Sequence, residues 1–223
     1  VFKHLYPGGF ADETYVKGVR GGDGTRRRKK HRNPAVADAQ ERLGKAAFEA
    51  AADAPSAIHL AACEILIGTD LAGDKRQRRA VVDLPGDRHA DFATALEALL
   101  HGEGPLLDRF ARWVSLLDDS PGGAPSWSVV TTLPALAHPD THVAIKPTIF
   151  ERQARRIDPR LVPDKRPNAA LYNRYRELAL AVRDKLTEAG MPPQDLLDVR
   201  SFMEETLRPK ALQLLAQLTS AEG

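Results

Sequence analysis

Residues 127–150, WSVVTTLPALAHPDTHVAIKPTIF, form the stretch on which the reading of the fold turns. Two short β-branched runs, Val129-Val130-Thr131-Thr132 and His142-Val143-Ala144-Ile145, stand out in a chain whose other apolar residues recur mostly at helical spacing. They predict a small two-stranded β element around residues 127–146, gripped by helices. The expected fold class is therefore mainly α: a multi-helix domain with that one β element and about 50–60% helix, against roughly a third in an ordinary globular protein. The same stretch concentrates polar chemistry, with His138, Asp140, His142 and Lys146 inside nine positions.

Outward from this stretch, prolines and glycines punctuate helical stripes on both sides. Asn33-Pro34 reads as the cap and first turn of a helix reaching about Ala52, and Pro55 opens another that Gly68 ends. A third spans Arg88 to His101 and stops at Gly102. A fourth starts at Pro105 and turns Phe110, Trp113 and Leu117 inward. DDSPGGAPS, residues 118–126, is the clearest breaker. Beyond the central stretch, Pro147 opens a helix and Asn168 caps a long one ended by Gly190. Ser201 and Glu204 match a capping box, and Pro209 splits the final helix. The expected division is an aromatic and basic N-terminal arm at 1–33, a helical subdomain at 34–120, and the β element with a C-terminal helical subdomain at 121–223. One continuous core straddling the second boundary is the alternative.

With 223 residues, 43% apolar and 28% charged, the chain can bury a substantial core. A lone cysteine, Cys63 in IHLAACEIL, excludes an internal disulfide framework and reads as a small buried hydrophobe. No run approaches the roughly 18 apolar residues of a membrane span, and no charged-then-apolar leader opens the chain. These features make a cytoplasmic protein with no membrane partner the expectation.

Charge is unevenly distributed. Residues 1–33 carry nine Lys/Arg against three Asp/Glu, a balance of +6, so a chain of net charge +2 leaves −4 for the rest. Within GGDGTRRRKKHRNP, residues 21–34, the glycines Gly21, Gly22 and Gly24 loosen the chain ahead of Arg26, Arg27, Arg28, Lys29, Lys30 and Arg32. Such a run repels itself and suits contact with a phosphate backbone, although a solvated loop or helix start would also accommodate it. Lys75, Arg76, Arg78 and Arg79 make a second cluster that could extend the first into one groove. A third basic region runs from Arg152 to Arg166 and includes Arg155 and Arg156. The glycines lack the G-x-x-x-x-G-K-[ST] spacing of a phosphate-cradling loop.

His138 and His142 are weak metal-ligand candidates, because Pro139 interrupts the helix that would put them on one face. Lys146, at the start of a helix, could hold an anion with the exposed backbone N–H groups or form a salt bridge to an acidic helix. Asp195 and Asp198 read as helix-start acids. No cofactor fingerprint is present.

The motifs W-x-x-x-T (Trp127, Thr131), H-P-x-x-H-V-x-I-K-P-T (His138 to Thr148), P-N-x-x-x-Y (Pro167, Asn168, Tyr172) and D-V-R-S-F (Asp198 to Phe202) recur in order. With the opening Y-P-G-G-F-x-D, the chain resembles an uncharacterised bacterial protein family. It departs from that pattern at Ala169 and Met203, where the family commonly has Trp. The resemblance carries no activity; it implies that Lys146, Asn168, Tyr172 and Ser201 sit together.

The expected function is a nucleic-acid-binding accessory role, DNA rather than RNA, through Arg26–Lys30 and Arg32 with Lys75, Arg76, Arg78 and Arg79 in support. Lys146, Arg155, Arg156, Asn168 and Tyr172 are further anion-binding candidates. The alternatives are an enzyme acting on a nucleotide or other polar small molecule, with a site at His138, Asp140, His142 and Lys146 that could use a metal, and a module for an acidic protein partner.

Overall fold

The structure is a computed structural model, and it describes residues 1–21 and 26–221. Helix accounts for 66% of it. The helices are α1 (Phe2–Leu5), α2 (Glu13–Tyr15), α3 (Arg32–Arg42), α4 (Lys45–Ala50), α5 (Pro55–Gly68), α6 (Arg79–Val82) and α7 (His89–His101). After these come α8 (Leu106–Asp118), α9 (Trp127–Ala137), α10 (Pro147–Ile157), α11 (Ala169–Glu188), α12 (Leu196–Thr206) and α13 (Pro209–Ala221).

The expected β element is absent among the described residues, which contain no strand. Residues 127–137 are instead the central helix α9, started by Ser126, whose hydroxyl accepts from the Val129 N–H at 3.4 Å. All eleven residues are buried, so packing on every side outweighs the modest helix penalty of the β-branched residues. The Thr131 and Thr132 hydroxyls donate to the Trp127 and Ser128 carbonyls, each at 2.6 Å, and so stay satisfied inside the core. Pro134 has no N–H to offer the Val130 carbonyl four residues back. The Trp113 indole supplies that bond from α8, at 3.0 Å.

Residues 142–145 are buried and extended, yet their partner is a helix face. The Ile145 N–H donates to the Thr131 hydroxyl at 2.9 Å, and the Ser128 hydroxyl donates to the Ile145 carbonyl at 3.3 Å. Helix α9 packs against α3, α5 and α7, and one apolar cluster runs from Ala35 to Leu207 across the breaker at 118–126. Phe110 of α8 stacks on Tyr172 of α11 at 4.0 Å across the same boundary.

Two other expectations are corrected. The helix predicted from Asn33 to Ala52 divides into α3 and α4 at Gly44, where a Cβ would lie 2.6 Å from the Gln40 carbonyl oxygen. Ser201 and Glu204 lie inside α12, not at its start. Asp195 is the cap, accepting from the Leu197 and Asp198 N–H groups at 2.8 and 3.1 Å.

The N-terminal segment is fastened to α12. Phe2, Tyr6, Phe10 and Tyr15 form an aromatic knot that reaches Phe202, with the Phe2 and Phe202 rings 5.2 Å apart. A π-helical turn, Val16–Arg20, then delivers Arg20 to the interior, where only 3% of it is exposed. Its guanidinium grips Asp195 with two nitrogens, at 2.8 and 2.6 Å, and its Nε donates to Asp198 Oδ1 at 2.7 Å. The Tyr15 hydroxyl donates to the same Asp198 oxygen at 2.5 Å, and the Gln194 N–H donates to the other at 2.8 Å. Burial pushes the Asp198 pKa up while Arg20 and Tyr15 pull it down.

Removing Arg20 would strand two buried carboxylates. Urea unfolding of Arg20→Ala is expected to show a loss of about 3–5 kcal/mol, well beyond the roughly 0–1 kcal/mol of an exposed pair. A loss no larger than that of an exposed pair would show that the clamp does not hold the N-terminal segment.

Candidate nucleic-acid interface

The basic run begins where Arg20 ends. Gly21 has φ 77°, in the left-handed region that favours glycine, and a Cβ there would sit 2.8 Å from the His31 ring. His31 is buried, and burial followed by the charges of Arg28, Lys30 and Arg32 lowers its pKa. In its neutral form Nδ1 accepts from the Arg28 N–H at 3.2 Å. The Lys29 carbonyl accepts from the Asp70 N–H at 3.1 Å. The backbone of Arg26–Lys30 is thus tied at two points while all five side chains are exposed. Of the glycines expected to loosen the chain, Gly22 and Gly24 lie outside the described residues.

The six cations of the run have three fates. Arg32 leaves the surface: it lies in the first turn of α3, largely buried, and pairs with Asp70 at 2.5 Å. Arg27 pairs with Asp38 at 3.2 Å. Arg26, Arg28, Lys29 and Lys30 take part in no ion pair among the described residues. Arg26, Arg28 and His31 line an open hollow of about 600 Å³ with Glu13, Thr14, Lys17 and Gly18. There Lys17 is neutralised by Glu13.

The second cluster follows directly from the anchor. Asp70 holds both the Lys29 backbone and the Arg32 side chain, and Lys75 lies five positions further on. Arg78 donates to the Gly73 carbonyl and Arg79 pairs with Asp83, which leaves Lys75 and Arg76 exposed to solvent. In the third basic region, Arg155 and Arg156 are exposed in the last turn of α10.

The remaining candidates do not converge. Asn168 caps α11, its Oδ1 accepting from the Leu171 N–H at 2.9 Å. Tyr172 is sealed in the core, its hydroxyl 2.7 Å from His142 Nδ1. Lys146 is bound to Glu204 at 2.8 Å, the salt bridge that was one of its two sequence readings. Ser201 lies on α12, the helix that carries Glu204, the partner of Lys146. The His138 and His142 rings are 6.3 Å apart, and Asp140 faces solvent. No group of three or more His, Cys, Asp or Glu among the described residues could hold a metal ion. Cys63 is buried beside His59, and burial raises its thiol to about 11, so it stays protonated at neutral pH.

Sequence reasoning missed the Arg20 clamp and the partnership of Arg32 with Asp70. The only local sign of the first was the Asp195/Asp198 spacing, which helix capping already explained. No protein-family profile, curated protein or solved structure matches the chain.

His142, in the core beside Tyr172, gives the fold a pH signature. Burial, then the neighbouring charges of His138, Arg176 and Arg109, depresses its pKa from 6.5 to about 3. A depressed histidine contributes stability that is full above the unfolded value and is lost as pH falls toward the folded one. Between pH 6.5 and 3 this single group is expected to steepen the acid limb by up to about 1.4 kcal/mol per pH unit. Comparing urea stability of the wild type and His142→Asn across that range checks it, because the variant is expected to have the shallower limb.

Proposed function

We propose that the protein binds nucleic acid, duplex DNA foremost, by contacting the phosphate backbone through Arg26, Arg28, Lys29 and Lys30. The supporting observation is that four cations within five positions stay exposed, in no ion pair among the described residues, on a backbone tied down by Asp70 and His31. Like charges held this close repel one another, and a polyanion relieves that repulsion while releasing its own counterions. Lys75 and Arg76, beyond the Asp70 anchor, extend the same contact. No base-reading element is part of this proposal, so the role is an accessory one that follows backbone charge.

Fluorescence anisotropy with duplex and single-stranded oligonucleotides tests it. Affinity is expected to fall with salt at a slope of about −0.9 per phosphate neutralised on duplex. The triple variant Arg26→Ala/Arg28→Ala/Lys29→Ala is expected to flatten that slope by about 2–3 with an unchanged helical spectrum. Absence of binding at low salt would defeat the proposal, and capture of an acidic protein in its place would redirect it to that partner.

A further inference from the structure

A second hollow, more enclosed and of about 340 Å³, adjoins the first, and Thr14 and Gly18 line both. Its volume is at the low end of the roughly 300–1,000 Å³ typical of small-ligand sites. Lys30, Arg32 and Arg208 line it together with Asp70, Glu204 and Glu205, and Arg208 pairs with Glu205 at 3.0 Å. Arg200 and Lys146 reach Glu204 as well, at 3.0 and 2.8 Å. Within the lining three cations meet three carboxylates, and Arg200 and Lys146 add two positive charges from beyond it.

Two of these guanidiniums are deeply placed. The Arg32 side chain is 6% exposed, and its Nε is buried without a hydrogen-bond partner among the described residues. Its counter-ion Asp70 is 49% exposed and so compensates it weakly. The Arg200 side chain is also only 6% exposed. Burial and the neighbouring charge of Arg32 both lower its pKa. Two guanidiniums close together in a poorly solvated place are costly to the folded protein unless an anion joins them. Arginine is also the side chain best matched to phosphate geometry, with donors arranged as a planar fork.

The rest of the wall suits what a phosphate would carry. Glu204, Glu205 and Asp70 can accept hydrogen bonds from hydroxyls, and Ser201 and Thr14 add two hydroxyls of their own. Tyr6, half-buried against Phe2 and Tyr15, presents an aromatic wall on which a base can stack. We propose that this cavity is a phosphomonoester site for a nucleotide 5′-phosphate, either free or at the end of a strand. Only the strand-end form rests on the backbone-binding reading, with Lys30 as the residue common to both surfaces.

Calorimetry with 5′-AMP, adenosine and inorganic phosphate tests the site. 5′-AMP is expected to bind about tenfold or more tighter than adenosine, the effect of one charge-assisted hydrogen bond or more. Arg208→Gln, at an exposed position, is expected to weaken 5′-AMP by about tenfold on the same basis with an unchanged helical spectrum. Arg32→Gln should abolish binding; if it unfolds the protein, Arg208→Gln still decides. Equal affinity for adenosine and 5′-AMP, no binding of either, or an Arg208→Gln variant that binds normally would overturn the proposal.

Single strands bearing a 5′-phosphate or a 5′-hydroxyl identify the source. Preference for the phosphate supports the strand end, and equal affinity alongside retained 5′-AMP binding supports the free nucleotide. The triple variant Arg26→Ala/Arg28→Ala/Lys29→Ala is expected to leave 5′-AMP affinity unchanged. Wild-type protein that binds 5′-AMP but no oligonucleotide at low salt would thus remove only the backbone reading, and the reverse result would remove only this one.

Discussion

Arg20, Asp195, Asp198 and Tyr15 meet in the interior, and the position of everything at the N-terminal end follows from that meeting. Taking these charges out of water is costly, and their mutual attraction offsets the cost only while every partner is present. The requirement makes the arrangement specific. The Arg20 fork fits two carboxylates that α12 presents three residues apart, and the Asp195 cap and the Gln194 N–H fix those carboxylates in turn. With Arg20 located, Gly21 can turn back over His31 and Arg26–Lys30 emerge beside the end of α12, which supplies Glu204 and Glu205 and is followed by Arg208. Without it, the exposed cations and the walls of the enclosed hollow would have no fixed relation.

How much of this could be read from the sequence depends on the range over which each feature is decided. Pro55 and Gly68 bound α5 as expected, and Asn168 caps α11, because a helix end is settled by residues within one turn of it. Residues 127–137 misled for the same reason. Val129, Val130, Thr131 and Thr132 favour strands locally, but a helix buried on all sides has no polar face to reveal its period. What makes it helical lies elsewhere in the chain, in Trp113 bonding the carbonyl that Pro134 leaves free and in the extended run at 142–145 that bonds to its hydroxyls.

The charged residues divide along the same line. That Arg26–Lys30 are exposed followed from their density alone, since a core cannot absorb five adjacent cations. Arg32 looked identical in sequence and ended in the interior because Asp70, 38 positions away, reaches it. Arg20 was less legible still, with partners 175 and 178 positions away. In this protein exposed charge is a matter of composition, whereas buried charge is a matter of topology.

Those separations also set an order of events in time. The carboxylates that receive Arg20 are made long after it, so during synthesis the guanidinium, the aromatic knot and the basic run must wait undocked. The helices between Arg32 and Ala137 can gather around α9 in the meantime. Closing so long a loop is slow relative to local helix formation, because the chain entropy is lost before any contact offsets it. Docking of the N-terminal segment therefore cannot precede the synthesis of α12, and the cationic surface takes its final shape only once that helix has been made.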